Sequence, residues 1–234
     1  MQFLHPLAPE SFVRKGNIMK KRTILTMVLA AAISTAACSA MGKSGGKLPV
    51  ENSVMIDKGG NVSWASVEPY DSSDGTEEEL KAWVENKIAA FNSSLGKPAQ
   101  AVNLGGSERL PVAIGSVTVG NDTATLITEY DTPSRLVEFA GEIGDYNVPF
   151  TALEVGRVAS VGQSFEGITF KDEKGNTVDA QTVRADNEKL AVKAEGQGII
   201  KTENAILYIS DGCTLQDSKT VQTAQEGTSY IVLK

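Results

Sequence analysis

Histidine is almost missing from this 234-residue chain, whose only copy is His5. Cysteine occurs twice, as Cys38 and Cys213, and aromatic residues make up 6%. Each shortage excludes a class of chemistry. Without a histidine in the folded part there is no Ser-His-Asp or Cys-His nucleophile, no imidazole general acid or base and no His-ligated zinc. Two cysteines cannot build a Cys₄ zinc or iron–sulfur site. The few, scattered aromatics (Trp64, Tyr70, Tyr130, Tyr146, Tyr208 and Tyr230 among them) supply no stacking platform for a sugar. LGGSE at 104–108 lacks the lysine and spacing of a phosphate-binding loop. Carboxylate chemistry, lysine chemistry and oxygen-ligated cations such as calcium remain open.

What is present is concentrated in Met19–Cys38, MKKRTILTMVLAAAISTAAC. Lys20, Lys21 and Arg22 form a basic start, Ile24 to Ile33 an apolar run, and Ser34 to Ala37 a set of small residues. This is the layout of an export signal, 19–37. The run is shorter than the ~20 residues that span a hydrocarbon core. Two processing routes fit. A general signal peptidase would use Thr35 and Ala37 at minus three and minus one and release a secreted protein. Alternatively, Thr-Ala-Ala-Cys resembles a bacterial lipobox, with Thr35 where leucine is usual, and Cys38 would carry a diacylglycerol. The second route is the one adopted here, with Cys38 as lipid-attachment site. Residues 1–18 then read as an upstream extension from a mis-called start, and they take His5 with them.

From Cys38 to Lys234 there are 197 residues. Residues 1–37 hold five of the 22 basic and one of the 29 acidic residues, leaving 17 against 28 and a formal charge of −11. Such a surface repels nucleic acid and anionic headgroups. With Cys38 acylated, Cys213 has no disulfide partner and reads as a small buried apolar residue.

Residues 38–48, including the Gly/Ser-rich SAMGKSGGK, read as a flexible tether. Residues 49–234 read as one α+β extracytoplasmic domain, with a sub-boundary allowed near 164. Strands are expected at 54–56 and 62–67 around DKGGN, whose Gly59 and Gly60 allow the positive φ a hairpin turn demands. Thr76 with Glu79 is a capping box. Leu80, Trp83, Val84, Ile88 and Phe91 follow at helical spacing, predicting an amphipathic helix with Trp83 and Phe91 in the core, ending at Gly96. A hairpin at 112–119 and 123–130 and a short helix from Thr132-Pro133 to about Ala140, closed by Gly141, come next. Residues 151–160 fit a short helix as well as an extended segment. From Phe165 onward only strands are expected: 168–170, 177–178, 190–192, 198–200, 205–210, 219–222 and 229–233. The fold class is α+β: antiparallel hairpins packed with one amphipathic helix, β-rich in the C-terminal third.

Three acidic turns could interest calcium. In YDSSDGTEEEL (Asp71, Asp74, Glu77, Glu78, Glu79), Ala82 stands where an EF-hand needs a bidentate glutamate. That turn, together with DKGGN (Asp57, Asn61) and KDEKGN (Asp172, Glu173, Asn176), is better explained by loop and cap chemistry. No metal, cofactor or catalytic residue is assigned.

The leader, the tether, TEEELKAWVENKIAAFN and the C-terminal LYISDGCTL…EGTSYIVLK resemble a group of uncharacterised surface lipoproteins of Gram-positive, clostridia-type gut bacteria. The resemblance implies a lipid-anchored protein on the outer face of the cell membrane and supplies no catalytic residues. The reading is therefore a non-enzymatic binding or interaction module. Its partners are the membrane, through the lipid on Cys38, and a protein or glycan ligand. The alternative is a carboxylate-dependent hydrolase of wall or dietary polysaccharide. Cys38→Ala should move the protein from the membrane pellet to the soluble fraction or medium, as followed by immunoblotting. Unchanged retention would sink the lipoprotein reading.

Overall fold

The structure is a computed structural model that describes residues 48–234 apart from 72, 106 and 107. The extension 1–18, the signal 19–37, Cys38 and the tether up to residue 47 lie outside the described residues. Thr76 opens the longest helix, α1 (Glu77–Ser94): its side chain accepts the Glu79 amide and Glu79 returns a bond to the Thr76 amide, the expected capping box. Three glutamates in the first turn face the positive end of the helix dipole. Val84, Ile88 and Phe91 are buried along one face. Trp83 corrects the expectation: it is 39% exposed, with Lys87 Nζ 5.6 Å from its ring centroid. It sits at the margin of the stripe, where the helix turns toward solvent.

The place the stripe leaves inside is taken by Asn92, 0% exposed. Its amide donates to the carbonyls of Gln100 and Val112 and its oxygen accepts the Val112 amide. One side chain thus fixes α1 to the strand that begins at Val112.

The remaining elements, in chain order, are as follows. Strands β1 (Ser53–Ile56) and β2 (Val62–Pro69) precede α1. Then come β3 (Val112–Gly120), β4 (Thr123–Tyr130), α2 (Pro133–Ile143), β5 (Ala152–Arg157), α3 (Val158–Val161), a 3₁₀ turn at Gly162–Ser164, β6 (Thr169–Asp172) and β7 (Thr177–Asp179). The chain continues through α4 (Ala180–Ala185), β8 (Leu190–Glu195), β9 (Ile199–Thr202), β10 (Ile206–Ser210), β11 (Thr214–Asp217), β12 (Thr220–Gln222) and β13 (Thr228–Leu233).

Two sheets result. The first has the order β11-β12-β9-β1-β2-β4-β3, and the second β5-β8-β13-β10-β6-β7. All pairs are antiparallel except β1 with β9, where Val54 lies beside Ile200. Both sheets draw strands from either side of residue 164, so that position separates neither sheet from the other. The class is α+β with a β-rich C-terminal part, as expected.

The larger core takes Val54, Ile56, Trp64 and Ile200 from the first sheet, Leu153, Val192, Ile231 and Leu233 from the second, and Ile88, Phe91, Leu136 and Phe139 from α1 and α2. Alternation along a strand sends neighbours to opposite faces. Accordingly Tyr230 and Val232 face a smaller core with Ala191, Phe165, Phe170 and Val183. Strand β13 is therefore buried on both sides.

The 151–160 ambiguity resolves into both readings. Leu153 and Val155 lie on β5, whereas Val158 and Val161 lie on α3. Other expectations need correction. Helix α2 runs through Gly141 to Ile143, and Gly144, at φ 70°, closes it instead. In DKGGN, as expected, a glycine takes the positive φ of the turn, namely Gly60 at φ 86°. The C-terminal third contains α4, capped by Asp179, whose carboxylate accepts the Thr182 amide, and an unexpected strand, β11. Asn121 and Asp122, at φ 52° and 58°, make the two-residue turn the second hairpin demands. No helix among the described residues is long and apolar enough to cross a membrane.

Asn92→Ala strips three backbone groups, two of them buried, of their partner and should cost about 2–3 kcal/mol in urea unfolding. A loss below ~0.5 kcal/mol would contradict the pinning role of Asn92.

Candidate functional site

Every sheet ends in strands that pair on one side only, and their outer backbone groups are open unless something closes them. In the first sheet the long edge, β3, is closed at Val112, Ile114 and Val119. Asn92 bonds both backbone groups of Val112, the Ala101 carbonyl accepts the Ile114 amide at 2.7 Å, and Glu77 accepts the Val119 amide at 2.9 Å. The opposite edge, β11, has four residues, and β7 in the second sheet has three.

Strand β5 differs. It pairs with β8 from Ala152↔Glu195 to Arg157↔Leu190. Among the described residues no side chain and no loop backbone closes the outer side of Ala152–Gly156. Helix α2 stands beside that edge, and an open groove of about 500 Å³ runs between them. Pro133, Ser134, Val137 and Glu138 form its helical wall, Thr151–Val155 its strand wall, and Lys193 reaches it from β8. That volume lies within the range of small-ligand clefts, ~300–1,000 Å³.

Local chemistry fixes both walls. Pro133 is set for the first position of a helix, so α2 begins where β4 ends. Arg135 grips Asp131 at 3.3 Å and also bonds Glu138, which holds the Glu138 carboxylate on the helix surface. On the strand side, Pro149 and Phe150 pass flat against the β8–β9 turn. A Cβ on Gly196 would lie 2.1 Å from the Pro149 carbonyl oxygen, and one on Gly198 would lie 2.6 Å from the Phe150 ring. Only glycine leaves room there, and the passage delivers the chain to the start of β5.

Leu153 and Val155 turn toward the large core while Glu154 points the other way, directly across the ladder from Lys193. Glu154 is exposed and Lys193 half-buried. No ion pair within 4 Å joins either to another described residue. The groove thus has apolar flanks, an unclosed strand backbone and a carboxylate on its rim.

The residues singled out from sequence lie elsewhere. Asp71 accepts the Ser73 amide and hydroxyl, and these bonds hold its carboxyl below the usual range. Asp74 accepts the Asp71 amide, and Glu79 serves the helix cap. Asp57 accepts from Gly59 and Asn61, and Asp172 does the same for Lys174 and Asn176. The side chain and amide of Asn176 hold Asp172 low. These carboxylates organise their own turns. Cys213 is 8% exposed, with its sulfur 3.6 Å from Ser210 Oγ, as a buried small residue would be. Cys38 lies outside the described residues. Sequence reasoning missed the groove, although alternation at Leu153 and Val155 beside a Pro-initiated helix was its visible trace.

Among the described residues one carboxylate is pushed upward. Asp145, half-buried just past the end of α2, is raised by burial against the opposing bond from the Asn147 amide at 3.0 Å. It lies close enough to act on Tyr130, whose hydroxyl is driven up first by burial and also by that charge. A carboxyl with a raised folded-state pKa binds more protons folded than unfolded. Stability should therefore fall as pH rises from the unfolded value of about 4 through the folded one, and the deficit is complete at neutral pH. Asp145→Asn should raise Tm at pH 7, with the gain shrinking toward pH 3. A variant that melts lower at pH 7 than at pH 3, relative to the parent, would reverse the sign.

No family model matches the chain, and no curated protein or solved structure shows significant similarity to it.

Proposed function

We propose that this chain is a non-enzymatic binding module that takes an extended peptide segment on strand β5, while a diacylglycerol on Cys38 holds it to the outer face of the cell membrane. The observation that carries the binding part is the contrast between the two long edges. Strand β3 has its outer backbone closed at Val112, Ile114 and Val119 by Asn92, Ala101 and Glu77, and β5 has an open groove in the same position. Strand addition uses such an edge: main-chain bonds give affinity, and the flanking wall reads alternate side chains. The two acyl chains of a diacylglycerol supply the pair of signals that firm anchoring needs. The likeness of the leader and C-terminal block to clostridia-type surface lipoproteins supports the same address.

A polysaccharide hydrolase would need two carboxylates facing one cleft, with the acid raised in pKa. The raised carboxylate, Asp145, neighbours Tyr130 and is not among the groove walls, which favours binding over hydrolysis.

The test uses an N-acetylated, C-amidated hexapeptide of alternating valine and threonine, titrated into the isotopically labelled full chain. Amide shifts concentrated in 152–157 are expected. Ser134→Trp, which fills the groove from its exposed wall, should abolish them while leaving Tm within ~1 °C. Shifts spread over β3 or β7, or unaffected by the tryptophan, would remove the edge reading.

A further inference from the structure

The groove's charges narrow what it takes. Resting on the strand-addition reading above, we infer that the segment bound on β5 alternates apolar and basic residues, with a lysine or arginine directly opposite Glu154. Residues facing each other across two strands share a sheet face, with Cβ atoms ~4.5–5.5 Å apart. A strand laid along β5 therefore places one side chain against Glu154 and its two neighbours against the opposite face, level with Leu153 and Val155. Those two side chains belong to the large core or pack on it, so the neighbours meet apolar surface. The central one meets a carboxylate that no described cation engages.

Lys193 does not reverse this. Its backbone sits on β8, two inter-strand spacings of ~4.8 Å from the added strand, and its side chain reaches the groove from directly across Glu154. Its repulsion trims the preference and is screened by salt. On the opposite wall stands Glu138, already shared with Arg135. Over longer range the chain from Cys38 onward carries −11, which speeds encounter with a basic partner and slows an acidic one. A second copy of this chain is disfavoured by the same charge. Two β5 strands paired about a two-fold axis centred on Glu154 would set the two carboxylates face to face.

The experiment compares two capped hexapeptides of alternating valine and threonine, one with a single central lysine and one with glutamate there, by fluorescence anisotropy against the full chain. The lysine peptide should bind about two- to fivefold tighter in low salt, with the gap closing as salt rises. Glu154→Gln should erase the preference and Glu154→Lys should invert it. Glu154 is exposed, so both variants should fold, as circular dichroism will check. Equal affinities for both peptides, still lost in Ser134→Trp, would overturn the charge inference and leave the groove standing. Binding of neither peptide, or a dimer in sedimentation that Ser134→Trp disperses, would overturn both.

Discussion

The parallel pairing of β1 with β9 is the contact on which the remaining architecture turns. Parallel neighbours cannot be joined by a tight turn and need a long crossover. Here the chain leaves Ile56, builds β2, both long helices, the β3–β4 hairpin and four of the six strands of the second sheet, and returns at Ile199 to lie beside its own beginning. The pairing places early and late segments in one sheet, and only then do Val54, Ile56 and Ile200 present a common face to Val192 and Ile231. The large core is therefore a product of long-range closure. Folds dominated by such contacts form slowly, because loop entropy is lost before burial repays it.

Local signals were legible wherever neighbouring residues satisfied one another. The capping box at Thr76, the Asn121–Asp122 turn and the Pro133 helix start all came directly from the residues. What stayed hidden depended on distant partners. Asn92 looks like an ordinary polar residue until Val112, twenty positions on, supplies its partners. Trp83 looked internal because the apolar stripe is wider than the face that β3 and α2 cover. Helix α4 buries Val183 alone, so no periodicity announced it. The groove is the extreme case, since α2 and β5 are each plain and only their packing makes a site.

Exposed edges invite unwanted pairing, and charged side chains are a usual defence. Glu154 and Arg157 on β5 are consistent with that role. Defence and recognition are compatible: a charge that discourages random strands also selects among those allowed to dock.

Strand β13 is central in the second sheet, buried on both faces, and comes last among the strands in chain order. Its place between β8 and β10 cannot be filled until Thr228–Leu233 has been made. Both cores therefore close only once Thr228–Leu233 has paired with β8 on one side and β10 on the other, so one six-residue strand sets when two apolar interiors become dry.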